Sequence, residues 1–359
     1  MPIGVNIARD HHYDIKIGHG LLAKQNFGKY DASKIAVVTD SNVNGFHGKK
    51  LEDLLKNQKQ NFIFIEIPSG EEGKTQNEAE RIIDKLADER FDRDSMLFTF
   101  DGGSGGDAGG FAASRYLRGI RYIHIPTTLL AMVDSSIGGK VGVNTKKGKN
   151  MDGAFYQPIE VISDTSLLET LPAKEWKNGL AEIVKYSIIK DLYLFDIIDK
   201  NPNPLKWNKR VLTNIIRICA EIKKSIVEDD ELERKGLREV LNYGHTIGHA
   251  IEKVSDYAIP HGEAVGIGMG YEAKIASKLG LLKKDNHEKI IDFLKKTELF
   301  GSYDGNRDEL LDAMEKDKKN KNGEIRVVLP IGVGSVIKEN KQHSVPVDRR
   351  IIMEALGES

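Results

Sequence analysis

The sequence predicts an α/β domain with a parallel sheet, followed by a second domain that is mostly helical. In the first half, short runs of β-branched and aromatic residues alternate with segments of helical periodicity, a pattern typical of a parallel sheet covered by helices. In the second half, helical periodicity continues with few strand-like runs. The chain has 359 residues, which is too long for one small core and favours two domains. We expect an α/β domain over residues 1–175 and a helical domain over residues 176–359.

The individual elements follow from the spacing of apolar residues. Apolar runs of four to six residues predict strands at residues 35–39, 62–67, 96–100 and 122–125. Helical spacing predicts helices at residues 51–56, 78–90 and 111–117 in the first domain. The segments with helical periodicity in the second domain are residues 174–199, 209–228, 238–254, 262–279 and 287–296. Residues 325–329 predict one late strand, before a polar C-terminal tail.

Composition and charge exclude several classes of protein. The 53 Lys and Arg residues nearly balance the 54 Asp and Glu residues, so the basic surplus of a nucleic-acid-binding protein is missing. No apolar run approaches the ~20 residues of a membrane span, and the N-terminus lacks the pattern of a secretory signal. The single Cys219 excludes a framework of internal disulfides and is typical of a reducing compartment. We therefore expect a cytoplasmic enzyme without nucleic-acid or membrane partners.

Glycine is concentrated in one window of the chain. Twelve of the 35 glycines lie within residues 102–153. The run from Asp101 to Gly110 follows a predicted strand and precedes a predicted helix, and backbone amides at such a junction suit a phosphate or pyrophosphate. A tight turn without ligand, in which Asp107 caps the helix, explains the same residues. No Walker lysine follows the loop, which argues against a P-loop nucleotidase.

A cluster of histidines in the second half indicates a metal site. His245 and His249 are four residues apart and share one helix face, and His261 follows within 17 residues. The metalloprotease motif H-E-x-x-H is absent, because threonine follows the first histidine. Histidine and carboxylate ligands with one open position are typical of catalytic zinc. Glu182, three residues before Lys185, is a candidate carboxylate, but spacing alone does not separate this role from an ordinary surface ion pair.

Basic residues accompany the glycine-rich window. They are Arg118, Arg121, Lys140, Lys146, Lys147 and Lys149. In a chain of net charge −1, this local excess indicates an anionic substrate. Solvated loop lysines explain part of the excess equally well.

These residues belong to an ordered series of motifs that resembles the 3-dehydroquinate synthases. The motifs are Gly110-Phe-Ala-Ala, Tyr116-Leu-Arg-Gly, Pro126-Thr-Thr-Leu-Leu, Val133-Asp-Ser-Ser-Ile-Gly-Gly-Lys, Gly142-Val-Asn, Gly148-Lys-Asn, Gly153-Ala-Phe-Tyr-Gln-Pro, Gly179-Leu-Ala-Glu, Leu241-Asn-Tyr-Gly-His-Thr-Ile-Gly-His-Ala and His261-Gly-Glu. The resemblance extends from residue 13 to residue 329. It implies a Rossmann-like NAD-binding α/β domain and a helical metal-binding domain, with the active site in the cleft between them.

The resemblance also implies a reaction. Enzymes of this family convert 3-deoxy-D-arabino-heptulosonate 7-phosphate to 3-dehydroquinate and phosphate, a step of the shikimate pathway towards chorismate and the aromatic amino acids. NAD oxidises a ring hydroxyl, phosphate is eliminated, and the ketone is reduced again. Ring opening and an intramolecular aldol closure follow. The implied cofactors are NAD and one divalent metal, zinc or cobalt, and the implied assembly is a homodimer.

The resemblance assigns roles to individual residues. The implied metal ligands are Glu182, His245 and His261, whereas His249 matches a residue that faces the substrate. The other implied substrate or catalytic residues are Arg118, Asp134, Lys140, Asn150, Lys185, Lys223, Arg238, Asn242 and Lys318. Lys224 stays an alternative to Lys223, because the segment from there to Arg238 is one residue longer than usual. The residues implied around NAD are Asp40, Asn42, Glu71, Lys74, Gly102, Gly103, Ser104, Asp107, Thr127, Thr128, Asp134, Ser135, Lys140, Lys149, Thr170, Leu171 and Glu175.

One segment departs from the family pattern. The usual Gly-Gly-Gly-Val-(Ile/Val)-Gly-Asp is replaced here by Asp101-Gly-Gly-Ser-Gly-Gly-Asp. Asp101 brings a negative charge near the expected phosphates, and Ser104 and Gly105 remove apolar packing. If the charge repels the cofactor, changing Asp101 to glycine is expected to tighten NAD binding.

Two other functions share parts of the pattern. Related sugar-phosphate cyclases, such as aminodehydroquinate, valiolone and deoxyinosose synthases, use the same chemistry. Those whose substrates lack the carboxylate are expected to alter the residues that hold it, so the presence of Arg238, Asn242 and His249 disfavours them, while an amino-substrate enzyme stays open. An NAD-dependent polyol dehydrogenase needs no phosphate pocket, and the basic residues count against it.

Overall fold

The computed structural model describes residues 11–316, 324–339 and 342–357 of the chain. By their packing, these residues form two compact units. The first unit contains residues 11–127 together with Ser135–Glu169, and the second contains Thr128–Asp134 together with the described residues from Thr170 onward. The domain boundary near residue 175 stays a prediction.

The first unit contains a parallel sheet, as the sequence predicts, and this sheet has six strands rather than the four predicted. Its elements, in chain order, are β1 (Asp14–Gly18), β2 (Ile35–Asp40), α1 (Ser41–Val43), α2 (Lys49–Asn57), β3 (Phe62–Ile67), α3 (Gln76–Asp88), β4 (Met96–Asp101), α4 (Gly103–Arg115), β5 (Arg121–Pro126), β6 (Lys140–Thr145), β7 (Gly148–Phe155) and β8 (Glu160–Asp164). The strand order is β1-β8-β5-β4-β2-β3, and every neighbouring pair is parallel. Strands β6 and β7 form a separate antiparallel hairpin.

The strands that the sequence predicts correctly are the apolar ones. Every residue of β2 and β4 is buried, as expected for strands covered on both faces. The amphipathic helix α3 contributes Ala79, Ile82 and Leu86 to the core beside this sheet. Strands β1 and β8 and the β6–β7 hairpin are not predicted by the sequence pattern, because their residues are largely polar or glycine.

The glycine-rich segment is helical, and its prediction as a loop is wrong. Helix α4 begins at Gly103 rather than at residue 111. A Cβ atom added at Gly106 would lie 2.5 Å from the His124 ring, and one at Gly109 would lie 2.7 Å from the Thr99 methyl. These glycines let the first turns of α4 lie directly on strands β4 and β5. Glycine disfavours helix formation locally, but tertiary packing overrides that preference here.

The second unit is mostly helical, which confirms the prediction. Its elements are α5 (Ala173–Ile189), α6 (Leu192–Lys200), α7 (Lys209–Asp229), α8 (His245–Val254), α9 (His261–Lys278), α10 (Lys284–Lys296), α11 (Arg307–Glu315), β9 (Arg326–Val328), β10 (Pro330–Gly332), β11 (Ser335–Val336), β12 (Ser344–Pro346) and α12 (Arg349–Gly357). Strand β9 pairs with β12, and β10 pairs with β11, both antiparallel. The C-terminal segment predicted as a polar tail contains α12.

Two segments predicted as single helices are interrupted. Residues 174–199 contain the end of α5 and a new start at α6, where the Asp191 carboxylate accepts a hydrogen bond from the Leu194 amide at 2.7 Å. Residues 238–254 contain most of the 3-10 turn Leu237–Asn242, which is followed by α8. Gly244 lies between the 3-10 turn and α8, and its φ of +77° interrupts the helical path. Residues with L side chains rarely adopt such a value. A Cβ atom there would also lie 2.5 Å from the Met269 side chain.

Helices α5 and α9 form the centre of the second unit. From Asn178 to Ile189, every residue of α5 is buried, and α9 is buried over most of its length. Helix α9 packs against α5, α8, α10 and α12. Within the described part of the chain, no helix combines the length and apolar character required to cross a bilayer.

Candidate functional site

Three helices of the second unit bring two histidines to one glutamate. Glu182 lies on α5, His245 is the first residue of α8, and His261 is the first residue of α9. The Nε2 atoms of His245 and His261 lie 3.2 and 3.3 Å from Oε1 of Glu182. One candidate ligand atom from each residue lies within 4.8 Å of the others. The structure thus brings together the three residues expected to bind a metal.

The second ring nitrogen of each histidine also faces an acceptor. Nδ1 of His245 lies 3.0 Å from the Tyr243 carbonyl oxygen, and Nδ1 of His261 lies 3.3 Å from Oε2 of Glu252. A neutral imidazole carries one N–H, so a donor at Nδ1 leaves the lone pair of Nε2 directed towards Glu182. Two imidazoles and one carboxylate form a donor set that fits a single divalent ion with an open coordination position.

Glu182 is a buried anion beside a buried cation. Its carboxylate forms an ion pair with Lys185, and both side chains are at most 2% exposed. Burial alone would raise the pKa of Glu182, but Lys185 and His245 hold that pKa well below its ordinary value. Burial likewise opposes the charge on Lys185, but Glu182 and Asp134 raise the pKa of Lys185. The interpretation of Glu182 and Lys185 as a surface ion pair is therefore wrong, since the pair lies in the interior.

Asp134 is held by Lys223 and Tyr186. Nζ of Lys223 lies 2.9 Å from the Asp134 carboxylate and donates to the Asp134 carbonyl oxygen at 2.7 Å. The Tyr186 hydroxyl donates to the same carboxylate. Burial opposes ionisation, but Lys223 and Lys185 lower the pKa of Asp134 to about 2. Asp134 is therefore a carboxylate over the whole physiological pH range.

The geometry distinguishes between the two neighbouring lysines. The side chain of Lys223 is 7% exposed and contacts Asp134. Lys224 is 59% exposed and pairs with Glu228 on the same helix, at 3.5 Å. Lys223 is therefore the better candidate for a substrate contact. Burial lowers its pKa despite the nearby carboxylate.

Tyr186 is a member of this cluster that the sequence analysis missed. It lies one helical turn after Glu182 on α5, so the two residues share a helix face. That spacing was a usable signal. The hydrogen bond to Asp134, however, depends on how the segment Thr128–Asp134 packs within the second unit, which no local pattern indicates.

Arg238, Asn242 and His249 lie next to the candidate metal ligands in the chain. Arg238 and Asn242 lie in the turn that precedes α8, and His249 lies one helical turn after His245. The ring of His249 meets that of His245 edge-on at a centroid distance of 5.1 Å. Arg238 is buried, and its Nη1 donates to the Glu231 carbonyl oxygen at 2.8 Å.

In the first unit, several residues expected around NAD lie at the start of α4. The N-cap residue of this helix is Gly102, which has no side chain to accept a hydrogen bond from the helix amides. Nζ of the buried Lys74 lies 2.5 Å from Oδ2 of Asp107. Asp107 lies inside α4, so its interpretation as the helix cap is wrong. The arrangement offers the positive end of a helix dipole together with a lysine, which fits a phosphate group.

Glu71 links this helix start to the β6–β7 hairpin. Its carboxylate accepts a hydrogen bond from Ser104 Oγ at 3.1 Å and another from Asn144 Nδ2 at 2.6 Å. The buried hydroxyls of Thr127 and Ser135 have no hydrogen-bond partner among the described residues. Buried polar groups are normally paired, so these hydroxyls are suitable contacts for a bound cofactor.

Asp101 has a different environment from the one expected. It is 3% exposed, and its Oδ1 accepts a hydrogen bond from the Gly102 amide at 2.5 Å. Burial, together with the nearby Asp40 carboxylate, raises the pKa of Asp101 well above its ordinary value, which favours the neutral acid. A Cβ atom added at Gly105 would lie 2.3 Å from the Asp101 carboxyl group. Two of the departures from the family pattern, Asp101 and Gly105, therefore fit each other sterically.

The other predicted residues occupy less distinctive positions. Asp40 caps α1 through its carboxylate, which accepts from the Val43 amide at 2.7 Å. Thr128 accepts a hydrogen bond from the Ala131 amide at 3.2 Å. The remaining positions are Asn42 in α1, Arg118 after α4, Lys140, Lys149 and Asn150 in the hairpin, and Thr170, Leu171 and Glu175 at or just before the start of α5. Lys318 lies outside the described residues.

The structure resembles solved sugar-phosphate cyclases over nearly its whole length. A 2-epi-5-epi-valiolone synthase from Streptomyces hygroscopicus subsp. jinggangensis, with NAD+ and Zn2+ bound, is 26% identical with a TM-score of 0.88, covering 99% of this chain and 98% of that one. A 2-deoxy-scyllo-inosose synthase in complex with carbaglucose-6-phosphate, NAD+ and Co2+ is 27% identical with a TM-score of 0.88, covering 95% of each chain. An iron-containing alcohol dehydrogenase, 15% identical with a TM-score of 0.67, shares the fold alone.

Sequence relatives are more similar. The 3-dehydroquinate synthase of Caldanaerobacter subterraneus subsp. tengcongensis is 46% identical over 308 residues, which cover 85% of this chain and 86% of the relative. That of Alkaliphilus metalliredigens is 43% identical over 330 residues, covering 91% and 92%. Residues 64–178 match the family described as 3-dehydroquinate synthase N-terminal, and residues 179–320 match the family described as 3-dehydroquinate synthase C-terminal. This chain therefore belongs to the 3-dehydroquinate synthase family.

Proposed function

We propose that this chain converts 3-deoxy-D-arabino-heptulosonate 7-phosphate to 3-dehydroquinate and phosphate, using NAD and one divalent ion. The observation that carries the proposal is the convergence of His245 and His261 on Glu182, in a chain whose family is named for this reaction. When bound, NAD supplies a hydride acceptor and the ion supplies a Lewis acid that polarises a substrate oxygen. Glu182, His245 and His261 would hold the ion.

The charged side chains of the second unit suit an anionic sugar phosphate. Lys185, Lys223 and Arg238 are buried cations whose positions are fixed by their partners. Buried cations interact strongly with a phosphate or carboxylate, because little water screens them. We assign them to substrate binding, together with Asn242 and His249. Asp134 stays ionised and accepts hydrogen bonds from Lys223 and Tyr186, so it orients donors around the substrate rather than storing a proton.

The residues of the first unit would hold the cofactor. The amides at the start of α4 and the ammonium group of Lys74 offer positive charge to a pyrophosphate. The unpartnered hydroxyls of Thr127 and Ser135 offer further hydrogen bonds. We assign Asp40, Asn42, Glu71, Gly102, Gly103, Ser104 and Asp107 to the same subsite. The homodimer and the cytoplasmic location stay predictions of the sequence.

A second candidate is a related cyclase that uses another sugar phosphate. The two cyclase structures support it, because their similarity covers at least 95% of this chain. The sequence relatives named 3-dehydroquinate synthase are considerably closer, however, at 46% identity against 26–27%. The presence of Arg238, Asn242 and His249, expected to hold a substrate carboxylate, also supports the first candidate.

The test is identification of the product. Metal-loaded protein with NAD is incubated with the heptulosonate phosphate, and phosphate release is followed together with dehydroquinate formation. We expect both products in equal amounts, with NAD unchanged at the end. If neither product forms while a simple polyol steadily reduces NAD, the chain is a dehydrogenase and the proposal is wrong.

A further inference from the structure

We propose that Glu252 is a positioning residue that orients His261 for metal binding. This inference rests on the proposed metal site. Glu252 lies on α8 and His261 opens α9, so the interaction joins two helices. The Glu252 carboxylate would hold Nδ1 of His261 as a donor, and Nε2 of the same ring would then face the ion.

The distances place the His261 ring between two carboxylates. Its Nδ1 lies 3.3 Å from Oε2 of Glu252, and its Nε2 lies 3.3 Å from Oε1 of Glu182. A neutral ring can donate to only one of them. Once an ion replaces the proton between Nε2 and Glu182, the ring N–H must lie at Nδ1, where Glu252 accepts it. Such outer carboxylates fix the tautomer and rotation of a ligand histidine and raise its basicity.

His245 shows why His261 needs this contact. Nδ1 of His245 faces the main-chain carbonyl of Tyr243 at 3.0 Å, so the backbone before Gly244 fixes that ring. The only acceptor recorded for Nδ1 of His261, within the described parts of the chain, is the Glu252 side chain. The His261 side chain is also 26% exposed, against 11% for His245. The more exposed ring, that of His261, is thus the one whose Nδ1 faces a side chain rather than the backbone.

A different arrangement would make Glu252 itself a ligand. Ligand atoms of His249, Glu252 and His261 also lie within 4.8 Å of one another. That arrangement would use Nδ1 of His261 and leave Glu182 unused. Glu182 is more deeply buried than Glu252, and both neighbouring histidines direct Nε2 to it. The geometry therefore favours Glu252 as the outer partner.

The test measures metal affinity without substrate, so its result does not depend on turnover of the heptulosonate phosphate. Zinc affinity is determined by competition with a chromophoric chelator for the wild type, Glu252→Gln, Glu252→Ala and Glu182→Gln. Glu288→Gln, at an exposed residue of α10, is the matched control. We expect about 10–100-fold weaker binding for Glu252→Ala, and a smaller loss for Glu252→Gln, whose amide oxygen still accepts the Nδ1 proton.

The visible spectrum of the cobalt-loaded protein separates an outer partner from a ligand. At saturating Co2+, Glu252→Gln should keep the band positions of the wild type, whereas Glu182→Gln should shift them. Unchanged zinc affinity in Glu252→Ala, with a far-UV circular dichroism spectrum like that of the wild type, would overturn the proposal. So would a shifted cobalt spectrum in Glu252→Gln, or binding of two ions by the wild type that falls to one in Glu252→Ala.

Discussion

Replacing Gly105 with valine is expected to destabilise the chain much less when Asp101 has first been replaced by glycine. A Cβ atom at position 105 would lie 2.3 Å from Cγ and Oδ2 of Asp101. Ordinary contacts of a Cβ atom begin at 3.4 Å, so the two side chains cannot share this space. The perturbation is therefore a cycle of three variants, Asp101→Gly, Gly105→Val and the double variant.

The expected magnitudes follow from the contacts. Gly105→Val alone overpacks the junction of β4 and α4, at a cost of about 1–3 kcal/mol. Asp101→Gly removes the hydrogen bond from the Gly102 amide, worth about 1 kcal/mol, and adds about 0.5–1 kcal/mol of backbone entropy cost. It also removes a buried carboxyl oxygen without a partner, which offsets part of this loss. In the double variant the clash is absent. Its destabilisation should therefore be smaller than the sum of the two single-variant values by at least about 1 kcal/mol.

The assay is urea unfolding of the four proteins, combined with a titration of NAD. If Gly105→Val costs the same in both backgrounds, within about 0.5 kcal/mol, then steric coupling between the two positions is refuted. The NAD titration tests the charge of Asp101. Because burial and Asp40 raise its pKa, Asp101→Gly should tighten NAD binding by less than about tenfold, or 1.4 kcal/mol. A larger gain would mean that a charged Asp101 repels the cofactor.

Three further predictions concern the second unit. His261→Ala should lose the metal during gel filtration; metal content equal to that of the wild type would contradict its assignment as a ligand. Lys223→Met should raise the pKa of Asp134 from about 2. Because the pKa of Asp134 is depressed in the folded state, its ionisation stabilises that state above the ordinary pKa of 3.8, and this stabilisation is lost as the pH falls towards 2. Urea unfolding between pH 7 and pH 2 should therefore show a smaller acid-dependent loss of stability for Lys223→Met than for the wild type, and identical pH profiles would contradict the ion pair between Lys223 and Asp134. Tyr186→Phe removes one hydrogen bond to Asp134 without changing shape, so it should cost about 0.5–1.5 kcal/mol of stability; a variant as stable as the wild type would show that the bond contributes nothing.

The strands and the glycine-rich helix show where sequence patterns succeed and fail for this fold. Strands β2 and β4 are predictable because every residue is buried and most of these residues are apolar. Strand β1 and the β6–β7 hairpin carry polar residues and glycines, and β8, the partner of β1, is distant in the chain. Helix α4 was predicted to start too late because glycine is a poor helix former. Contacts such as Gly106 against His124 exist only after the sheet has formed.

The candidate site divides in a similar way. Ordered motifs around Glu182, His245 and His261 identified the family and predicted these three residues as metal ligands, because histidine and carboxylate are typical ligands of catalytic zinc. No sequence motif singled out Glu252 or Tyr186. Glutamate and tyrosine are common on helices, and the contacts of Glu252 with His261 and of Tyr186 with Asp134 depend on which segments lie opposite.

The sequence by itself determined the fold class and the family, and it predicted the kinds of group expected at a cofactor site and a metal site, since these depend on periodicity, motif order and residue chemistry. Only the tertiary structure decided which groups are paired and charged. It placed Lys223 rather than Lys224 on Asp134, buried the Glu182–Lys185 pair and favoured the neutral form of Asp101. The physical reason is that electrostatic energies depend on distance and on exclusion of water, and residues far apart in the chain set both.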